Sequence, residues 1–190
     1  MGRIPVGCMV KSHAAFILRI RHECYTRDMD IQTLIQLVAD GLVIPVVLLG
    51  VYALIRHVPR AKKYGVYTRV LMAGLTAYVV AKIAGLLYQP TTLRPFELMG
   101  VEAGASFLNN PGFPSDHALF TMAIVLAIWF GTRQRKLAVA ALIMTLLVAI
   151  GRVVALVHTP LDVVGGILIA CTGIVWYIFP RPTKRPKSAK

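Results

Sequence analysis

Two histidines, two arginines and two carboxylates stand in short polar clusters on an otherwise apolar chain. The clusters read Arg94-Pro95, then Pro114-Ser115-Asp116-His117, then Arg152, with His158 after five intervening residues and Asp162 after three more. Each lies at the edge of a long apolar run, where ionisable side chains are expensive unless a function retains them. As chemistry, the set comprises a nucleophile, a proton donor and a cage of cations and N–H groups for a phosphate. Thr159 and Pro160 suit the N-cap and N1 positions of a helix. Asp162 then falls at N3, from which its carboxylate can reach back to His158 and hold one imidazole N–H. The other ring nitrogen is left to attack. Ser115 is placed to cap the helix that His117 opens, and helix N-termini attract anions. Arg94 and Arg152 would close on such a phosphate, because the guanidinium fork binds two oxygens at once.

The elements that position these residues are membrane spans. Of 190 residues, 57% are hydrophobic and 15% charged, and the mean hydropathy is +0.68. Such a composition belongs to an integral membrane protein rather than a soluble domain. Five apolar stretches approach the roughly 20 residues needed to cross a bilayer. They are Thr33–Ile55, Val66–Tyr88, Ser115–Gly131, Leu137–Val157 and Leu161–Phe179. Pro45 is expected to kink the first. No strand alternation competes. The expected fold is an all-α, polytopic membrane helix bundle with about five transmembrane helices and an interfacial helix or loop before the third. Two spans separate His117 from His158, so span count alone puts both imidazoles at one depth on one side.

The net charge is +13, and its distribution sets an orientation. Arg56, Arg60, Lys62 and Lys63 follow the first span; Arg133, Arg135 and Lys136 lie between the third and fourth; Arg181, Lys184, Arg185, Lys187 and Lys190 form the tail. No acid interrupts these blocks, whereas Gln89–Pro114 on the other side holds one Arg and two Glu. By the positive-inside rule the C-terminus is cytoplasmic and the polar clusters face the periplasm or exterior. The same rule accounts for the basic charge, so nucleic acid is not an expected partner; the lipid bilayer and a membrane lipid substrate are.

Residues 1–28 are expected to form an N-terminal extension, disordered or upstream of a natural start at Met29, because Arg3, Lys11, Arg19, Arg21 and Arg27 would fall on the wrong side of the membrane. The membrane domain spans residues 29–180, and 181–190 form a basic cytoplasmic tail. Cys8, Cys24 and Cys171 give neither a metal-site spacing nor an even count for disulfides. Glu97 and Glu102 make a weak metal signal, and no metal or other cofactor is expected. Gly165-Gly166 and Gly173 read as helix-packing glycines.

The three clusters resemble the motifs of the type 2 phosphatidic acid phosphatase family of membrane lipid phosphatases. That family shows a Lys…Arg-Pro segment, a Pro-Ser-Gly-His segment and a Ser-Arg-x5-His-x3-Asp segment. Here they stand as Lys82…Arg94-Pro95, Pro114-Ser115-Asp116-His117 and Gly151-Arg152-x5-His158-x3-Asp162, over most of the chain from about Val66 to Phe179. The resemblance implies a phosphohistidine mechanism. His158 would attack phosphorus with Asp162 orienting it, and His117 would protonate the leaving oxygen. Arg94, Arg152, Ser115 and Lys82 would bind the phosphoryl oxygens.

Three departures matter. Eleven residues rather than the usual six separate Lys82 from Arg94. On the rise of an α-helix, Lys82 then starts roughly 9 Å inside the second span. Asp116 replaces glycine, as in undecaprenyl-pyrophosphate phosphatases of the bacitracin-resistance type. It should either point away from an anionic substrate or orient a basic neighbour. Gly151 replaces serine and loses a hydroxyl. The resemblance favours undecaprenyl pyrophosphate as substrate, then phosphatidate or phosphatidylglycerol phosphate. A lipid transporter or flippase would share the intramembrane cations but would be expected to carry internal repeats, which are not evident.

Overall fold

The computed structural model describes residues 30–88, 93–108 and 112–179, all of them helix, turn or irregular chain. Four helices are long and apolar enough to cross a membrane: α1 (Asp30–His57), α2 (Arg60–Leu87), α5 (Arg135–Val154) and α6 (Pro160–Ile178). Between them lie the short α3 (Pro95–Met99) and the apolar α4 (Asp116–Thr132). The fold is the expected helical membrane bundle, with α3 as the element before the third span. The N-terminal extension and the basic tail lie outside the described residues.

Small residues, alanine above all, dominate the interior, and most large apolar side chains face outward. Ala39, Ala53, Ala77, Ala81, Ala118, Ala138, Ala141 and Ala170 are buried, while Leu48, Leu71, Leu86, Ile143 and Leu168 are among the many large apolar side chains left exposed. In water so much exposed apolar surface would drive aggregation. In lipid it is the solvent-facing belt, and small interior residues let helix backbones close on one another. Gly166 and Gly173 act this way. A Cβ at Gly166 would lie 2.6 Å from the Ser115 carbonyl oxygen, and one at Gly173 would lie 2.7 Å from that of Ala73.

α4 is central, packing against α1, α2, α5 and α6. It is also short: eleven α-helical residues followed by a six-residue π-helical turn, Ala127–Thr132. On helical rise its length is roughly 25 Å. The longer α2 reaches roughly 42 Å on the same measure. The start of α4 is accordingly sunk within the bundle. Asp116 at the first position of α4 meets Lys82, five residues before the end of α2.

α1 is irregular where the sequence reading expected a kink. Pro45 lacks the N–H that would bond to the Gly41 carbonyl. The helix answers with a π-helical turn over Leu37–Gly41 just upstream. The fourth predicted span also ends early. α5 stops at Val154, and Leu156 takes a left-handed φ of 59°. The α3 region stabilises that turn: Gly104 N–H donates to Ala155 O at 3.0 Å, and Phe96 N–H donates to Leu156 O at 3.1 Å.

Candidate active site

The three clusters meet at one end of the bundle. Thr159 caps α6 as its sequence suggested, accepting from the Asp162 N–H, while Asp162 Oδ2 accepts from the Thr159 N–H at 2.7 Å. This capping box satisfies two otherwise orphaned donors and fixes the carboxylate. The same Oδ2 lies 3.6 Å from His158 Nδ1, facing it but beyond hydrogen-bond length. His158 Nε2 is thus the nitrogen left for chemistry. Burial pushes the His158 imidazole below its ordinary pKa, the charges of Arg152 and Arg94 add to that, and Asp162 opposes them. Burial therefore favours the neutral ring, the form in which it can act as a nucleophile.

Ser115 occupies the N-cap position of α4, but its hydroxyl makes no capping bond, contrary to expectation. Its backbone N–H instead donates to Asp162 O at 2.9 Å, tying the start of α4 to the start of α6. Ser115 Oγ is fully buried and has no hydrogen-bond partner among the described residues; the same holds for Arg152 Nε. Arg152 is 1% exposed, and its backbone oxygen accepts from the His158 N–H at 3.3 Å. The hydroxyl and the guanidinium are therefore fastened through backbone bonds to the turn that carries His158 and Asp162.

Arg94 is buried and braces the same turn. Its Nη1 donates to Val157 O at 2.7 Å, its Nη2 donates to Leu108 O at 2.9 Å, and the guanidinium stacks over Phe107, 5.4 Å from the ring centroid. Burial lowers the Arg94 pKa, with Glu97, Asp162 and Asp116 acting the other way. Glu97 accepts from the Arg94 N–H at 2.6 Å, which assigns it a structural task at the start of α3. Among the described residues no group of three or more His, Cys, Asp or Glu side chains converges on a metal position.

Lys82 was expected at the phosphate. Its described contacts are Asp116, at 3.2 Å from Nζ, and the face of Tyr78. Asp116 thus orients a basic neighbour, one of the two roles its sequence position allowed. Asp116 and Tyr78 also line an apolar groove of about 640 Å³ between α1, α2 and α4, together with Gly50, Leu54, Val70, Gly74, Leu119 and Ala127 among others. From Asp116 to Ala127 the groove follows roughly 16 Å of helix.

One site residue escaped the sequence reading altogether. Asp40, on the π turn of α1, accepts from Arg152 Nη1 at 2.5 Å and from the Ser106 N–H at 2.9 Å, and its Oδ1 lies 3.8 Å from His117 Nε2. The available signal was an acid inside an apolar span, which calls for a partner.

The apolar bundle, with a histidine–arginine cluster gathered at one end, defines the class: a helical membrane protein. Residues 63–185, well over half the chain, match the family model of the PAP2 superfamily, and the chain belongs to that superfamily. Its members are phosphatases, which supports a phosphoric-ester hydrolase here. Comparison with curated proteins and with solved structures gives no match.

Proposed function

We propose that the protein removes a phosphate from a membrane lipid phosphate or pyrophosphate through a phosphohistidine intermediate, with undecaprenyl pyrophosphate as the first substrate. The observation that carries this reading is the pair of buried, unpaired groups, Ser115 Oγ and Arg152 Nε, fastened beside the buried His158, whose burial favours the neutral ring. A buried donor without a partner costs about 1–3 kcal/mol, which a phosphoryl group bound there would offset. The apolar groove that Asp116 lines suits a lipid tail lying in the bilayer. The preference for the pyrophosphate rests on Asp116 in the Pro-Ser-Asp-His sequence.

In the first step His158 Nε2 forms a bond to phosphorus as the bond from phosphorus to the leaving oxygen breaks. His117 gives its proton to that oxygen, so the leaving group departs as a neutral lipid alcohol or as a lipid monophosphate monoanion. In the second step water, deprotonated by His117, attacks phosphorus; the bond from phosphorus to Nε2 breaks, which frees His158 and releases inorganic phosphate. Arg152, Ser115 and the Arg94-braced turn stabilise the negative charge that shifts onto the equatorial oxygens.

Purified protein given a panel of lipid phosphates in mixed micelles should release phosphate from undecaprenyl pyrophosphate faster than from phosphatidate or phosphatidylglycerol phosphate. EDTA should leave the rate within about twofold, since guanidinium groups supply the positive charge. No release from any member of the panel would remove the phosphatase reading. Complete loss on EDTA, restored by magnesium, would replace the arginine cage with a metal one.

The basic connections favour a site at the periplasmic or external face. With Cys8, Cys24 and Cys171 changed to serine, Glu102→Cys at an exposed position should react with an impermeant thiol reagent in intact cells. Labelling only after lysis, with the protein still folded, would invert the orientation.

A further inference from the structure

An acid ten residues into an apolar helix is costly unless something charged meets it. Asp40 lies about 15 Å along α1 from Asp30 on helical rise. Two local features bring it inward. The π turn that Pro45 imposes widens the helix at this point, and such single-turn bulges often serve functional sites. On the facing helix, position 151 is glycine. A Cβ there would lie 3.0 Å from both Cα and N of Ala39, so any other residue would push α5 away from the bulge. The resulting close approach delivers one carboxylate to Arg152, to the Ser106 N–H and to the edge of His117.

We propose that Asp40 is a positioning residue for proton delivery: its Oδ1 fixes the Arg152 guanidinium with Nε toward the phosphoryl group and supplies the counter-charge for His117 when His117 carries the proton. This deepens the phosphatase reading and rests on it. The charges around His117 explain the need. Arg152 on α5 and His158 on the α5–α6 turn face it. Asp116 on α4 itself is engaged by Lys82 of α2. Asp40 on α1 is the remaining carboxylate near it among the described residues. Without it, a protonated His117 would stand beside a buried guanidinium with little compensation. α1 precedes the stretch matched by the superfamily, so this role is read from geometry alone.

The test uses two substrates that differ in their need for a proton. Dioctanoyl phosphatidate expels an alkoxide that must be protonated; p-nitrophenyl phosphate expels a phenolate that leaves unaided at neutral pH. In kcat/KM, which reports the steps through phosphohistidine formation, Asp40→Asn should lose about 100-fold on phosphatidate, on the scale of general-acid catalysis. On the nitrophenyl ester it should lose less than about tenfold, the part owed to Arg152. Equal losses on both substrates would make Asp40 a purely structural partner of Arg152, and near-wild-type rates on both would remove it from the site. If Asp40→Asn does not fold, Asp40→Glu, which keeps the charge but displaces it, decides by the same ratio. Preferential loss on phosphatidate supports the role, and equal loss overturns it. Wild-type protein that cleaves undecaprenyl pyrophosphate alone, whose phosphate leaving group needs little help from a proton, would overturn this inference only; protein that cleaves none of the three would overturn the phosphatase reading with it.

Discussion

His158→Ala is expected to lower kcat/KM by at least about a thousandfold, the scale on which removal of a single nucleophile abolishes turnover, while the protein stays folded. The imidazole is 5% exposed yet makes no hydrogen bond from Nδ1, and the bond that holds the turn, His158 N–H to Arg152 O, belongs to the backbone. Alanine therefore deletes the proposed nucleophile without unfastening its neighbours. Circular dichroism and gel filtration would check the fold; phosphate release would check the chemistry. Residual activity above about a hundredth of wild type, on that same scale, would transfer the nucleophilic role elsewhere. The pH profile follows from the same ring. Burial and the two arginines hold its pKa below the usual value, about 6.5 for histidine. The neutral imidazole attacks, so wild-type kcat/KM should persist as the pH falls through that value, with its acid limb lower. Asp162→Asn removes a group that works in the opposite direction and should move the limb lower still. An acid limb at or above the ordinary histidine value in wild type would separate it from His158.

Arg152→Lys should slow the reaction roughly 30- to 1,000-fold, equivalent to about 2–4 kcal/mol of transition-state stabilisation. Lysine keeps the charge but not the fork. Nη1 is already given to Asp40, and Nε is an unpartnered donor open to a phosphoryl oxygen. A single ammonium cannot serve both at that geometry. Lys82→Met is the matched control, removing a charge held by Asp116. It should cost nearer tenfold, about 1.4 kcal/mol. If Lys82→Met proves as damaging as Arg152→Lys, Lys82 must leave Asp116 for the phosphate during turnover. Small, equal effects from both would count against the cage itself.

Four of the five expected spans, and the approach of His117 to His158, were legible because they depend on apolar run length and on counting crossings; α4 is apolar but shorter than the other four. The Thr159–Asp162 cap was legible because it is local, three residues wide. Gly166 and Gly173 were readable as packing positions for a similar reason: only a small side chain suits a helix crossing that close. What sequence could not supply was partnership at a distance. Asp40 and Arg152 are 112 residues apart, and nothing in the apolar period of α1 marks the π turn that carries Asp40. Lys82 and Asp116 are 34 apart, and their pairing depends on where α4 starts relative to α2. Ser115 was misjudged in its local task because its backbone, rather than its hydroxyl, is used by α6.

The sunken start of α4 bears on how the protein meets a lipid. Long neighbouring helices reach past it, so a phosphate bound at Ser115 and Arg152 would rest below the tips of α1 and α2 rather than above them. A membrane lipid would then react without being lifted out of its leaflet, arriving by lateral diffusion with its chains still solvated by other lipids. The relevant substrate concentration becomes two-dimensional. Rates in vesicles should follow the mole fraction of phosphorylated lipid in the membrane, and dilution by inert lipid should slow turnover even when the bulk amount of substrate is held constant.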